Sequence, residues 1–161
     1  SGPMLPSLAS LVRAAPPIPG KEDPARAYEI AGDINARMAD TVEEALRNGF
    51  RRFFITSRGG EMLAAQRMSQ LLNEFQASLA AQGQCHSACA YLWLATGQRT
   101  LGPAAHLALH ASYDSRGPND FGERWLLQMG RADLAVWARS LDMHYLTDGE
   151  LRPGIEPEPA L

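Results

Sequence analysis

Short apolar runs typical of buried strands alternate with longer amphipathic segments typical of helices through the middle of the chain. The clearest strand is Arg52–Thr56, whose aromatic and β-branched residues follow one another directly. Strands that alternate with helices favour an α/β fold with a mainly parallel sheet, because each helix carries the chain back to the end where the next strand begins. The 161 residues are enough for one such domain.

Hydrophobic periodicity and chain-breaking residues place the individual elements. Strands are predicted at 28–30, 52–56 and 107–109, and helices at 42–48, 62–79, 88–95 and 125–144. Asp40 or Thr41 is expected to cap the first helix. The helix at 88–95 is apolar on every side, which predicts that it is buried. Residues 112–122 are polar and contain a Gly-Pro pair, which predicts a loop.

Both ends of the chain differ in composition from the middle. Six prolines lie within residues 1–26, and because proline removes backbone donors this stretch is predicted to be an extended arm. Its first residues, Ser1–Met4, resemble the scar left when a tag is cleaved off. The expected organisation is a tag scar and proline-rich arm at 1–26, a folded domain at 27–152 and a flexible tail at 153–161.

Charge and hydropathy exclude some classes of function. The formal net charge is −3, and Lys and Arg form no stripe that could follow a phosphate backbone, so we expect no nucleic-acid partner. No stretch of eighteen apolar residues occurs, so we expect no membrane-spanning segment. These exclusions leave two classes to consider, a globular enzyme and a globular binding module.

A serine stands where a turn enters the apolar helix. The segment Gly83–Ala90 reads Gly-Gln-Cys-His-Ser-Ala-Cys-Ala, with Ser87 just before the helix. A nucleophile gains from this position, because its hydroxyl stands clear of the helix and unpaired backbone N–H groups lie close to a developing oxyanion. An ordinary capping serine would occupy the same place, so this motif alone leaves both interpretations open.

Two further motifs can serve the same chemistry. Gly59 and Gly60 follow the strand at 52–56, and paired glycines let the backbone approach a ligand closely, although a tight turn would use them too. His110 follows the strand at 107–109, where a histidine can act as a general base near neutral pH, although it can equally be structural.

Taken together and in this order, the motifs resemble those of the Clp protease proteolytic subunit. The matching segments are Ile55–Gly60, Gly83–Ala88 and Leu107–His110, and Ile30–Ile34 is similar to the first strand and turn of that family. The likeness covers roughly residues 28–112. Several ordered motifs are more specific than any one of them. The resemblance implies an α/β, ClpP/crotonase-like spiral fold with repeated β-β-α units.

The resemblance also assigns roles. Ser87 would attack a carbonyl carbon, and His110 would take its proton and return it to the leaving group. The oxyanion would lie between the backbone N–H groups of Ala88 and Gly60, with Gly59 beside them. A peptide or protein substrate would bind as an added strand along the segment after the glycines. The expected function is a serine peptidase that uses no metal, nucleotide or other cofactor.

The third member of a catalytic triad does not follow from an ungapped match to the family. The family usually has an Asp shortly before a segment that corresponds here to Tyr145–Thr147, and Asp142 lies one residue too early for an ungapped match. Asp142 is the expected acid. The alternatives are Asp114 and a Ser–His dyad assisted by a carbonyl or a water.

Two departures from the family bear on assembly and location. Arg58 stands where the family usually has proline, and the connection from His110 to Tyr145 is shorter than in the Clp subunit. That connection holds the element by which Clp rings pair. We therefore expect a monomer or a small homo-oligomer rather than stacked heptameric rings, in a reduced, stand-alone protein of the bacterial envelope without ATP coupling.

The two cysteines of the chain, Cys85 and Cys89, lie on either side of Ser87. They can form a disulfide that braces the nucleophile turn, or they can pack as two buried thiols. A disulfide needs an oxidising compartment, so the expected location is periplasmic or secreted.

Other functions compete with the peptidase. The same fold serves crotonase-type enzymes that act on acyl-CoA, and it can serve a catalytically weak or inactive Clp-like scaffold or binding module. A redox role for the cysteines is weaker, because Cys-x-x-x-Cys is not the usual dithiol spacing. His86 and His106 lack the carboxylate or cysteine partners of a convincing metal site, so no metal is expected.

Overall fold

The structure is a computed structural model and describes residues 26–155. The predicted tag scar, nearly all of the predicted arm (1–25) and residues 156–161 of the predicted tail lie outside the described residues. Between residues 26 and 155 no helix combines the length and the hydropathy needed to cross a bilayer.

Strands and helices alternate through the first two thirds of the fold, and short elements follow. In chain order they are β1 (Ala27–Ala31), α1 (Ala36–Arg47), β2 (Arg52–Ser57), α2 (Met62–Glu74), β3 (Ser78–His86), α3 (Ala88–Ala95), β4 (Gln98–Leu101), β5 (His106–Leu109), β6 (Tyr113–Asp114), β7 (Gly117–Pro118), α4 (Phe121–Gln128), α5 (Ala132–Ala135), a 3-10 helix (Val136–Arg139), β8 (His144–Tyr145) and α6 (Asp148–Leu151).

The main sheet runs in the order β1-β2-β3-β5-β8, and β4 pairs with β3 beside this path. Its strands are parallel except for β8, which is antiparallel to β5. The nine-residue strand β3 changes partner along its length: Ser78–Ala81 pair with β4, and Gln84–His86 pair with β5. The α/β prediction with a mainly parallel sheet is confirmed, and β3 links its two halves.

Helix α3 forms the centre of the core. Every residue from Ala88 to Leu94 is buried, because α2, β3 and β5 all pack against it. The Trp93 indole N–H donates a hydrogen bond to the Thr100 carbonyl at 2.8 Å, which satisfies the one polar atom of that buried ring. The buried helix predicted at 88–95 is confirmed, and it fixes the position of whatever precedes its first residue.

The first helix begins earlier than predicted. α1 starts at Ala36 rather than at residue 42, because Asn35 caps it: the Asn35 side-chain oxygen accepts a hydrogen bond from the Met38 N–H at 2.9 Å. The capping role predicted for Asp40 or Thr41 is therefore wrong, since both lie inside the helix.

The second helix is shorter than predicted. α2 ends at Glu74, and Gln76 has a φ of +56°, which no helix continues through. Ser78 and Leu79, predicted as helix, open β3 instead. Pairing with β2 on one side and β4 on the other outweighs the helix preference of the alanines that follow. The sequence patterns do not predict β4.

The long helix predicted at 125–144 is wrong. Gly130, with a φ of +81°, separates α4 from α5, and the 3-10 helix and β8 take up the rest. Within this segment Trp125, Leu126 and Leu134 are buried, whereas Trp137 and Leu141 are exposed. The loop predicted at 112–122 contains the β6–β7 hairpin and the start of α4.

The end of the described chain is packed against β4. Arg99 is buried, and its guanidinium donates hydrogen bonds to the carbonyls of Thr96 and Pro153. Ile155 forms a bridge with the backbone of Arg99. Residues 153–155 of the predicted tail therefore belong to the packed structure.

Candidate active site

Ser87 joins β3 to α3 in a strained backbone conformation. Its φ is +56° and its ψ is −125°, a region that residues other than glycine rarely adopt. Its hydroxyl makes no capping hydrogen bond to the helix, although the residue occupies the N-cap position. The ordinary capping interpretation of Ser87 is therefore not what this geometry shows, because the strain is not offset by a cap and the hydroxyl is left available.

His110 lies at the end of the strand next to the one that leads to Ser87. β3 and β5 are parallel with Cys85 opposite Leu107 and His86 opposite Ala108, so the two chains leave the sheet at the same edge. The Ser87 N–H donates a hydrogen bond to the Ala108 carbonyl at 2.9 Å and extends this pairing. The topology brings the two predicted residues to one edge of the sheet.

The His110 ring is oriented by a backbone carbonyl. Its Nδ1 lies 2.8 Å from the Ala111 carbonyl oxygen. A carbonyl only accepts, so Nδ1 carries the proton and Nε2 is the unprotonated nitrogen of the neutral ring. This is the tautomer that a general base needs. Tyr113 stacks beside the ring, with 6.1 Å between centroids.

The structure does not bring a carboxylate to His110. Asp142 is exposed, and its backbone N–H donates to the Ser140 hydroxyl at 2.9 Å. Within residues 26–155 no hydrogen bond joins His110 to Asp142 or Asp114, and none joins the Ser87 hydroxyl to His110. The place expected for Asp142 is taken by the Ala111 carbonyl, one of the alternatives weighed from the sequence.

Gly59 packs closely against Ser87, and Gly60 packs closely against Ile34. A Cβ atom added to Gly59 would lie 2.9 Å from the Cβ of Ser87 and 3.0 Å from the His86 carbonyl oxygen. A Cβ on Gly60 would overlap the Ile34 carbonyl oxygen and lie 2.7 Å from the Ile34 nitrogen. Both glycines have positive φ, so they are required for close approach and for conformation alike.

The amides at this junction differ in their availability. The Gly59 N–H donates to the Ser57 hydroxyl at 3.0 Å and is engaged. The Ala88 N–H belongs to the first residue of α3 and has no partner within the helix. Gly60 is bridged to Ile34 through the Gly59 carbonyl and the Glu61 N–H, which leaves its own N–H without a partner among the described residues. The Ala88 and Gly60 N–H groups are therefore both open donors at this junction.

A disulfide joins Cys85 and Cys89, with 5.1 Å between their Cα atoms. Of the two states considered from the sequence, the structure has the bonded one. Cys85 lies next to the last residue of β3 and Cys89 in the first turn of α3, so the bond spans the junction that contains Ser87. It closes the nucleophile turn from the buried side, since both cysteines are fully buried.

Tyr91 supports the histidine and is a residue that the sequence analysis misses. Its hydroxyl donates to the His110 carbonyl at 2.8 Å, and its ring stacks on Trp125. A side chain at Gly122 would overlap the Tyr91 hydroxyl, so α4 packs directly on this contact. Burial raises the pKa of the Tyr91 hydroxyl, and the charge of Glu123 adds to the effect, so the phenol stays protonated as a donor.

A second pair of histidines lies next to the nucleophile. His86 Nε2 is 3.1 Å from His106 Nδ1, and the Gln84 side-chain amide contacts His86 Nδ1 at 3.0 Å. Burial lowers the pKa of His86, and the nearby His106 and His110 lower it further. Among residues 26–155 no three His, Cys, Asp or Glu side chains are arranged to hold a metal ion.

One solved structure that is similar to this chain is a mutant of the ClpP1 protein from Listeria monocytogenes. The two superpose with a TM-score of 0.63 at 17% sequence identity, over 83% of this chain and 92% of that chain. No protein-family model matches the sequence, and no curated protein matches it. At this identity the likeness establishes the fold: the chain has the ClpP-like α/β fold that the order of motifs predicts.

Proposed function

We propose that this protein is a serine hydrolase, and specifically a peptidase, with Ser87 as nucleophile and His110 as general base. The observation that carries the proposal is the state of Ser87: a strained, uncapped serine at the N-terminus of a buried helix, at the same edge of the sheet as His110, whose Nδ1 is held by the Ala111 carbonyl. Strain of this kind costs roughly 1–3 kcal/mol and persists where function uses it. A ClpP-like fold is compatible with this chemistry.

The proposed reaction is an acyl transfer to Ser87 followed by hydrolysis of the acyl-enzyme. Ser87 Oγ attacks the carbonyl carbon of the scissile bond while His110 Nε2 takes the hydroxyl proton. The negative charge on the carbonyl oxygen is stabilised by the open N–H groups of Gly60 and Ala88. His110 gives the proton to the leaving amine, and a water then attacks the acyl-enzyme with His110 again as base. The Ala111 carbonyl holds the imidazole in the required tautomer.

The proposal requires Ser87 and His110 to come within hydrogen-bonding distance when substrate binds. No Ser87–His110 hydrogen bond is present without substrate, which is common for catalytic pairs that tighten only in the complex. A peptide that binds along the segment after Gly60 as an added strand would place its carbonyl between Ser87 and the open amides. The proposed compartment is the periplasm or the exterior of a bacterial cell, which fits the Cys85–Cys89 disulfide.

Reaction with a fluorophosphonate probe tests the proposal. We expect the wild-type protein to be labelled at Ser87 and the Ser87→Ala variant to be unlabelled. Ser115→Ala is the matched control, because Ser115 is exposed in the β6–β7 turn, and its labelling should equal that of the wild type. A folded wild-type protein that resists the probe, or that turns over CoA thioesters without reacting, would contradict the peptidase.

A scaffold or binding module is the second candidate. It is favoured by one observation, that His110 has no carboxylate partner among the described residues. Cleavage of a peptide library separates the two candidates. The scaffold predicts binding of peptides that Ser87→Ala leaves unchanged, with no cleavage by the wild type.

A further inference from the structure

Gln84, His86 and His106 form a hydrogen-bonded chain that ends beside the nucleophile. Because β-strand side chains alternate, Gln84 and His86 lie on one face of β3, opposite to the face of Cys85. His106 is opposite Gln84 in the parallel pairing with β5, so its ring reaches His86 across the sheet. The chain thus braces the residue immediately before Ser87.

The direction of the hydrogen bonds follows from the donors available. The Gln84 amide nitrogen can only donate, so His86 Nδ1 accepts and His86 Nε2 carries the ring proton. His86 Nε2–H then donates to His106 Nδ1. Both rings must be neutral for this order of donors and acceptors. A proton on Nδ1 of either ring would set two donors against each other and break one link.

Among the described residues, none of the contacts of His86 is with a carboxylate that could hold a charged ring. The ring is buried at 5% exposure, and the groups that face it are Gln84 from its own strand, His106 and His110 from β5, and Tyr145 from β8. The Tyr145 ring meets the His86 ring edge-on at 5.4 Å between centroids. The low pKa of His86 agrees with this environment, since burial and two neighbouring histidines all disfavour its protonation.

We propose that His86, held by Gln84 and His106, is a positioning residue for Ser87. Protonation of the His86–His106 pair in acid breaks the hydrogen-bonded chain and moves Ser87 out of its reactive position. The proposal rests on the hydrolase function proposed above. The His86 carbonyl is one of the atoms that pack against Gly59, so a shift of His86 moves both Ser87 and the glycine that faces it. The activity would then require two deprotonations on its acid side, one at His110 and one at the His86–His106 pair.

Variants of His106 test this directly, because His106 is exposed and its replacement leaves the core intact. His106→Ala removes the acceptor for His86 and should slow fluorophosphonate labelling roughly fivefold at pH 7.5, the worth of one hydrogen bond of about 1 kcal/mol. His106→Asn presents an amide oxygen near the position of Nδ1 and does not titrate. We expect it to restore the rate to within about twofold, in line with that single bond.

The pH profile distinguishes positioning from a general loss of structure. Below about pH 6.5, the ordinary histidine pKa, the logarithm of the wild-type rate should fall with a slope above one. In His106→Asn the steeper fall should begin at lower pH, because His86, whose pKa burial lowers, is the one ring of the pair left to titrate. His144→Asn is the control, because His144 is the neighbour of Tyr145 on β8, pairs with Glu150 and should keep the wild-type profile. Equal rates and slopes for the wild type and His106→Ala would overturn the positioning role of His86 and would leave the hydrolase proposal standing.

The tautomer of His86 gives a readout independent of catalysis. Long-range ¹⁵N–¹H correlations at pH 8 should show His86 protonated at Nε2 and bare at Nδ1. A His86 ring protonated at Nδ1, or one that exchanges between tautomers as free imidazole does, would overturn the proposed chain even if Ser87 reacts. Absence of labelling in wild type with the expected tautomer would instead overturn the hydrolase proposal.

Discussion

Ser87 is the residue at which local strain and available chemistry coincide. A positive φ is unfavourable for serine, and the hydroxyl that could offset this by capping α3 makes no such bond. The Ser87 N–H is bonded to Ala108 and the neighbouring Gly59 packs against its Cβ, so the surroundings hold the conformation in place. Residues in contact with Ser87 are therefore expected to control both stability and reactivity.

Gly60→Ala should destabilise the protein strongly. Its φ of +148° is unfavourable for alanine, and the new Cβ would overlap the Ile34 backbone, so we expect a loss of roughly 3 kcal/mol or more in the free energy of unfolding. Gly32→Ala is the matched control: Gly32 also has positive φ (+111°), but a Cβ there meets no atom within 4 Å. It should lose only about 1–2 kcal/mol. Urea unfolding measures both, and equal losses would contradict the steric argument.

Asp142→Asn should change the rate of fluorophosphonate labelling by less than about threefold, whereas loss of the acid from a Ser-His-Asp triad lowers turnover by roughly 10⁴. The reason is that the Ala111 carbonyl, not the Asp142 carboxylate, accepts the hydrogen bond from His110 Nδ1. Labelling kinetics at pH 7.5 measure the effect. A loss of several orders of magnitude would show that Asp142 moves to His110 in the working enzyme.

At the scale of elements, the junction between β3 and α3 is held from two sides. The Cys85–Cys89 disulfide lies on the buried side, and the hydrogen bonds of His86 lie on the opposite face of the strand. Alternation of side chains along β3 produces this arrangement, because consecutive residues must point to opposite faces. The turn at Ser87 is therefore held by the interactions of two preceding strand residues, Cys85 and His86.

Removal of the disulfide should have a modest effect on stability and a larger one on reactivity. The closed loop spans a sequence separation of four, so the chain-entropy contribution is only about 2 kcal/mol. We expect the Cys85→Ala, Cys89→Ala variant to lose about that much in urea unfolding and to react more slowly with the probe, because the turn is less rigid.

Thiol counting on denatured, unreduced protein provides the accompanying check. No thiol should react before reduction and two should react afterwards. Two free thiols in protein isolated from an oxidising compartment would contradict the brace and the proposed periplasmic location.

At the scale of the whole molecule, the region after His110 decides how the chain can assemble. It consists of the short elements β6 to β8 rather than one long helix, and Trp137, Leu141 and Tyr145 are exposed within it. These side chains give a small apolar surface in a stretch where the Clp subunit has a longer connection.

Light scattering of the purified protein should therefore give a monomer, dimer or trimer. In the described region after His110 the apolar surface is carried on short elements, which offer no extended helix for the pairing of stacked rings. A particle of fourteen subunits would contradict this expectation. Size measured at several protein concentrations separates a weak dimer from a stable one.

The sequence by itself determined the parts of this protein that depend on local pattern. The apolar run at 88–95 predicts a buried helix, which the structure confirms, and Gly59 and Gly60 allow an approach and a φ that other residues resist. The order of motifs resembles that of the Clp protease subunit, and this resemblance predicted the ClpP-like fold. Whether Ser87 and His110 perform catalysis stays a prediction.

Tertiary structure decided the parts that depend on partners distant in the chain. Ser78 and Leu79 are strand rather than helix because β2 and β4 pair with them, and the segment after Gly130 is broken because only part of it finds apolar surface to pack on. The His86–His106 contact follows from strand register, which no local pattern encodes. Intrinsic helix or strand propensity contributes tenths of a kcal/mol per residue, and strand pairing together with burial outweighs it.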